Sequence, residues 1–407
     1  MRLSGPLADR RVAALLVAEV VSTTGSQMTW LALPWFVLVT TGSAARMSIV
    51  IAAEIAGVAL FSLPGGSLLE RLGSRRLMLL ADSCRAPLLL LVPVLEWSGL
   101  LTYPLLLALV FATGAFFGPY FAAQRVIVPE LLGEEPEVVG RANALLQGAT
   151  RVTLLLGPAL AGVLISAIGA SSVIVIDAAT YAFSALTVLL FVPPMAPVER
   201  DESARGLLAG LRYFVRDPLL RAWGSAFIVI DASWTVLFAG IPVLVFEEYG
   251  AHAATAGWII ASFGVGAVLG NTVAYKVANR FDAMTWVSCL LLVEALPLWV
   301  LAFPVPAVVA GLAVGTAGVL NGLVNPSMHS ILTLRPPAAV RAKVMTATLT
   351  LSTAGGPLAL IAAAPAFGAV GPRPVFAAVA AAQTVVRCIA GTVGLRLRSA
   401  GAYPAPA

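Results

Sequence analysis

Glu19, Ser22, Thr23, Ser26 and Trp30 recur at intervals of three and four residues inside one long apolar run, so a helix sets them on a single face. Similar rows follow in other runs: Asn143, Gln147 and Arg151; Asp177, Thr180, Tyr181 and Ser184; Asn321, Asn325 and His329. Asp231 precedes Trp234 and Thr235, Glu294 and Glu54 stand in further apolar runs, and Asp82 and Arg85 are three apart, close enough to pair on one helix. A charged group near the centre of a bilayer costs roughly 2.5 to 3.5 kcal/mol on insertion scales, so this many need a reason. A carboxylic acid in a low-dielectric cavity can take a proton near neutral pH and release it when water or a cation arrives. That is the chemistry of proton exchange, and Glu19, Asp231, Glu294 and Glu54 are its candidates. Glu19 leads because its polar row is the longest, with Arg151 as a fixed cation and Asp82 with Arg85 as a local ion pair. Glu96, Arg125 and Arg387 fall near the ends of their runs and are expected to snorkel to the interface. Asp177, near the outer end of its run, reads equally as a helix-start or packing contact or as part of a cavity wall.

Other chemistries lack their residues. His252 and His329 are the only histidines, and neither Lys276 nor Lys343 sits in a phosphate-binding G-x-x-x-x-G-K-[S/T] loop. Cys84, Cys289 and Cys388 all lie in apolar runs without metal or redox spacing and read as reduced packing residues. No enzyme, metal site or cofactor is expected.

The elements that must position these groups follow from composition. Of 407 residues, 59% are hydrophobic and 11% charged, against about a quarter charged in soluble domains, and the mean hydropathy is +0.95. Apolar runs of about twenty residues, long enough for a helix to cross a hydrocarbon core roughly 30 Å thick, recur from end to end. Period-two strands of a membrane barrel are absent from the pattern. The expectation is an all-α integral membrane protein with spans near 12–39, 46–69, 77–97, 103–124, 143–167, 172–192, 222–246, 255–275, 284–303, 307–334, 344–369 and 374–395. The longest polar interval, 193–221, divides these twelve into an N-terminal bundle, 1–192, and a C-terminal bundle, 222–407, joined by a cytoplasmic linker.

If the N-terminus is cytoplasmic, 20 of the 25 Lys and Arg residues fall on the inner side, which places both termini inside. The net charge of +5 is therefore topology and not a nucleic-acid surface, because the basic residues are spread over short loops. The halves resemble each other. Pro119 and Pro129 frame the end of the fourth run as Pro326 and Pro336 frame the tenth; "GRANAL" at 140–145 leads into the fifth as "VRAKVM" at 340–345 leads into the eleventh; Gly157-Pro158 returns as Gly356-Pro357. Two pseudo-symmetric six-helix units explain these landmarks.

Between the second and third runs, Arg71, Arg75 and Arg76 hold a turn on the inner side, Gly73 permits the reversal, and Gly66 allows close approach of the preceding helix. The pattern Gly66-x-x-x-Glu70-Arg71-x-Gly73-x-Arg75-Arg76 resembles the loop motif of the major facilitator superfamily, with Glu70 where that family usually has Asp and Ser74 where it commonly has Arg. "RRLMLLADSCRA", "GRANAL" and "IDAATYAFSAL" are similar to its macrolide, siderophore and multidrug exporter branch. Gly148, then Gly157-Pro158-x-x-Ala161-Gly162, resembles the antiporter motif of the same family.

The resemblance implies the twelve-helix fold of that superfamily, a cytoplasmic gate in which Glu70 and Arg71 tie the halves together, and alternating access. The fourth run lacks the buried arginine that many proton-coupled members carry there. The expected function is proton-coupled efflux of amphipathic drugs or secondary metabolites, with no cofactor beyond an ion gradient. Proton- or sodium-coupled uptake of a small nutrient, or siderophore export, is the alternative. The expected cavity lining is Ser22, Thr23, Ser26, Trp30, Gln147, Asp177, Tyr181, Trp234, Asn321 and Asn325, with Met28, Phe116 and Phe117 adding apolar surface. The expected partners are one small amphipathic substrate and the lipid bilayer of a bacterial inner membrane, with the chain acting as a monomer.

Overall fold

The computed structural model describes residues 10–132, 152–153, 156–194, 207–277 and 280–399. Arg141, Asn143, Gln147, Gly148 and Arg151 lie outside them, as do the surroundings of Gly66 and the side chains of Glu70 and Arg125. The described residues are helical without a strand, as expected where backbone polar groups in lipid must be satisfied within the segment.

The chain falls into two compact units, Met1–Gly42 with Ile49–Asp201 and Ser43–Ser48 with Glu202–Ala407. The first holds α1 (Arg10–Thr41), most of α2 (Ala44–Leu72), α3 (Ser74–Trp97), α4 (Tyr103–Leu132), α5 (Leu156–Ile168) and α6 (Ala170–Phe191). The second holds α7 (Leu207–Arg216), α8 (Ser225–Glu248), α9 (Ala253–Val277), α10 (Ala283–Glu294), α11 (Ala307–Leu334), α12 (Ala338–Val370) and α13 (Pro372–Ser399). Nine described helices are long and apolar enough to cross a membrane, and Leu156–Ile168 and Ala354–Val370 are shorter apolar helices. The 32-residue α1, which carries the Glu19 row, supplies the first predicted span.

Lipid offers helices no hydrophobic reason to associate, so close backbone approach at small residues holds them together. In the first unit α2 and α4 meet through Gly57, Gly114 and Gly118: a Cβ on Gly57 would strike the Phe111 carbonyl, and one on Gly114 the Glu54 carbonyl. In the second unit α9 and α11 repeat the device. A Cβ on Gly266 would strike the Gly315 carbonyl, one on Gly270 the Val319 carbonyl, and one on Gly318 the Phe263 carbonyl. The second and fourth spans of each unit are thus joined in the same way. A fully buried apolar layer of Leu77, Ala81, Ala123 and Ile127, with Ala18 and Val188, ties α1, α3, α4 and α6 together beside the polar rows.

Three boundaries depart from the hydropathy reading. The interval 193–221 contains α7, a ten-residue helix whose Phe214 is buried against Gly224; a window of about nineteen residues averages so short an amphipathic segment away. After α7, Asp217 Oδ1 accepts from the amides of Leu219 and Leu220 at 2.9 and 3.0 Å, and Oδ2 from Arg335 Nε at 3.0 Å. The span expected at 284–303 is broken: α10 ends at Glu294 and Leu296–Ala302 tightens into a 3-10 helix, because Pro297 has no amide to continue the ladder. Finally, α4 runs to Leu132 and α12 starts at Ala338, where hydropathy suggested 124 and 344.

Candidate functional site

In the first unit the polar rows of α1, α3, α4 and α6 converge on Arg85. Glu19, 7% exposed, accepts from Thr23 Oγ1 at 2.9 Å and from the Tyr120 hydroxyl at 3.3 Å. Arg85 is buried on α3, with Nη2 donating to the Tyr181 hydroxyl at 2.5 Å and its guanidinium 3.9 Å from the centroid of the Tyr181 ring. Phe117 and Tyr120 present their rings to the same cation at 5.5 and 5.8 Å. Ser26 and Tyr181 share a hydrogen bond of 2.9 Å, which joins α1 to this arrangement.

Asp82 pairs with Arg85 at 3.7 Å, as expected for acids and bases three apart on a helix. That distance is an ion pair without a hydrogen bond, and among the described residues neither Asp82 oxygen, nor the buried Ser184 hydroxyl near it, has a partner within hydrogen-bond distance. Asp177 is the eighth residue of α6 and fully buried, a packing position: its Oδ1 accepts from Thr180 Oγ1 at 3.0 Å, and it faces α1 at Gly25, where any Cβ would strike Asp177 and Thr180. Glu54, half-buried on α2, lies within electrostatic reach of Arg85 and Asp177. Among the described residues, Glu19, Glu54, Asp82 and Asp177 therefore all lie within electrostatic reach of Arg85.

The second unit arranges its charges differently. Arg387 does not snorkel. It is 1% exposed and forms an ion pair with Glu294, itself 1% exposed, while Nε and Nη2 donate to Gln383 Oε1 at 3.1 and 2.9 Å. Its position near the end of the expected span 374–395 was misleading, because α13 continues to Ser399 and carries the residue inward. Asn321 Nδ2 donates to Glu294 Oε1 at 3.2 Å and Asn325 Nδ2 to Asn321 Oδ1 at 2.7 Å, extending the network onto α11. These groups border a cavity of about 220 Å³. Its lining also includes Asp231, whose Oδ2 accepts from Ser352 at 2.5 Å, and the rings of Trp234, Phe238 and Phe263.

The remaining candidates separate. Gly73, with φ of 76°, reverses the chain between α2 and α3, a conformation that favours glycine. Arg75 is committed within its own unit: Nε donates to the Val192 carbonyl at 2.6 Å and Nη2 to that of Leu189 at 3.0 Å, capping the negative end of α6. Arg71 and Arg76 are exposed. Ser74 donates to Glu130, an acid the sequence reading passed over because its partner is 56 positions away. Gly157, Pro158 and Gly162 are buried in α5, and a Cβ on Gly157 would strike Gln27 of α1. Trp30 is 37% and Phe117 40% exposed, whereas Met28 is buried and Phe116 packs on the apolar layer, so the last two serve packing. Among the described residues no three His, Cys, Asp or Glu side chains gather as metal ligands.

A sequence model of the Major Facilitator Superfamily matches residues 15–360. The multidrug efflux pump Tap of Mycolicibacterium fortuitum is 26% identical over 390 residues, covering 92% of this chain and 94% of its own. The enterobactin exporter EntS of Shigella dysenteriae serotype 1 is 30% identical over 225 residues, 53% of this chain and 51% of its own. Among solved structures, the nucleoside transporter NupG is similar with a TM-score of 0.73 over 94% of this chain and 98% of its own; at 13% identity that likeness is one of fold.

Proposed function

The chain belongs to the major facilitator superfamily, and on that premise we propose that it exports amphipathic organic compounds in exchange for protons. It is a multi-pass membrane transporter with the superfamily's two-bundle fold. Export as the direction is supported by relatives named as a multidrug efflux pump and an enterobactin exporter.

The observation that carries proton exchange is the charge balance around Arg85. Among the described residues, four carboxylates, Glu19, Glu54, Asp82 and Asp177, lie within electrostatic reach of one guanidinium. At roughly 2.5 to 3.5 kcal/mol for each uncompensated charge in the membrane, one cation cannot offset four anions. Bound protons supply the balance, and they are gained and lost as the site meets each aqueous compartment in turn. The Lys and Arg bias puts both termini on the cytoplasmic side of a bacterial inner membrane, and the turn holding Glu70 and Arg71 acts there as the gate.

Inside-out membrane vesicles test this reading. An acidic lumen is expected to drive uptake of an amphipathic dye, and an uncoupler to abolish it. Uptake that follows a sodium gradient instead, or that ignores the uncoupler, overturns proton exchange. Gradient-driven accumulation of a nutrient in right-side-out vesicles overturns export.

A further inference from the structure

We propose that the cavity of the second unit is a head-group subsite for an aromatic monocation. The inference deepens, and rests on, the reading of the chain as an exporter of amphipathic compounds, and it assigns substrate recognition and proton exchange to different units.

Asp231, Trp234 and Phe238 fall at i, i+3 and i+7 on α8, so one helix face presents them together. Asp231 is exposed although it stands seven residues into a membrane span, and an exposed carboxylate at that depth cannot face lipid, so its exposed side meets water. In the lining of the same cavity Glu294 and Arg387 neutralise each other. Among the described residues Asp231 has a hydroxyl, Ser352, as its side-chain partner and no cation within ion-pair distance. The cavity therefore carries the charge of one uncompensated carboxylate, which suits a ligand with a single positive charge.

The rings beside it suit an aromatic one. Trp234, Phe238 and Phe263 form a cluster with centroids 4.7, 5.2 and 5.5 Å apart, and such ring faces attract a cation within about 6 Å of a centroid. Trp234 is 8% exposed, and its buried indole Nε1 has no acceptor among the described residues. A buried Trp N–H normally finds one, so a ligand with an ether or carbonyl oxygen beside its ring would supply the missing bond. At about 220 Å³ the cavity falls short of the roughly 300 to 1,000 Å³ of a site that holds a whole drug-sized molecule. It admits a charged aromatic head and leaves the rest of the compound outside.

The test is equilibrium binding of radiolabelled benzyltrimethylammonium to the full chain in nanodiscs, with every variant compared at one pH of about 8 because His329 lies within electrostatic reach of Asp231. Saturable binding is expected, with no competition from neopentylbenzene, which has the same shape without the charge. Asp231→Asn is expected to weaken binding about tenfold and Asp231→Glu to retain most of it. The wild type is expected to prefer the 4-methoxy derivative, and Trp234→Phe to lose that preference while still binding the parent cation. Absent saturable binding, equal competition by neopentylbenzene, or wild-type affinity in Asp231→Asn overturns the subsite. If these fail while pH-driven export persists, the subsite alone falls; if binding holds while the gradient drives nothing, proton exchange falls and the subsite stands.

Discussion

Asp82 and Glu294 stand on the third span of their units, 212 positions apart, yet each is matched by an arginine from a different place. Asp82 has Arg85 on its own helix, whereas Glu294 takes Arg387 from α13, the sixth span of its unit. The corresponding α6 of the first unit carries Asp177 where α13 carries Arg387, 210 positions on. Glu19 and Asp231, on the two first spans, are again 212 apart. One duplicated scaffold thus holds an acid-rich cluster in one half and an ion pair in the other, the difference on which the proposed division of tasks between the halves rests.

The closed pair gives a stability prediction. Glu294→Leu strands Arg387, buried to 1%, and breaking a buried pair in this way costs about 3 to 5 kcal/mol. Glu294→Leu combined with Arg387→Met removes both charges and is expected to recover most of the loss. Thermal unfolding of the purified single and double variants checks this; a double variant as unstable as the single would show that the pair holds the unit together by more than mutual neutralisation.

Glu19→Gln keeps the size of the side chain and one acceptor oxygen, for Thr23, with an NH2 that can donate to the Tyr120 hydroxyl oxygen in place of the bond Glu19 accepts from it, but it cannot carry the exchangeable proton. Uncoupler-sensitive dye efflux is expected to fall at least tenfold, with protein level and benzyltrimethylammonium binding unchanged. Full pH-driven transport by this variant would remove Glu19 from the coupling chemistry and leave Glu54, Asp82 and Asp177 to be tested in the same way.

Hydropathy and the 3.6-residue period made the spans and their polar faces legible, because lipid imposes both on local sequence. The Asp177, Thr180, Tyr181, Ser184 row is a local pattern, and it does meet the Glu19 row at Ser26 and Tyr181. What lies between distant helices was not legible. Glu294 and Arg387 are 93 positions apart and Ser74 and Glu130 are 56 apart, and no periodicity links them. Arg387 was misjudged because a few residues' error in a span's end changes the depth assigned to a charge. The α9 and α11 glycines left a composition signal, but which of them touch backbone depends on helix rotation.

That last point can be tested residue by residue. A Cβ on Gly266 would strike the Gly315 carbonyl, whereas a Cβ on Gly315 would sit 3.4 Å from the Ser262 carbonyl, ordinary contact. Gly266→Ala is expected to destabilise the protein by about 1 to 3 kcal/mol, the usual cost of overpacking. Gly315→Ala should be tolerated. Equal unfolding temperatures for the two variants would contradict the register given for α9 and α11.

Outside the spans, Asp282 caps α10 and supplies a pH-dependent contribution of known sign. Its Oδ2 accepts from the Thr285 amide at 2.9 Å and hydroxyl at 2.7 Å, and Arg398 Nε lies 2.9 Å away. Slight burial pushes the carboxyl up, but the two Thr285 bonds and Arg398 outweigh it and hold it below its ordinary value of 3.8. A group lowered on folding stabilises fully above its unfolded value and loses that contribution as pH falls through the folded one. Asp282→Ala should cost about 1 kcal/mol at neutral pH through the lost cap. Asp282→Asn, which keeps the cap and loses the charge, should cost only a few tenths at this partly exposed pair. The gap between wild type and Asp282→Asn is expected to stay constant from neutral pH down to about 4 and to close below 3.8. Denaturation of both forms across that range measures it, and a gap that widened on acidification would mean that Asp282 is held above its ordinary value and not below.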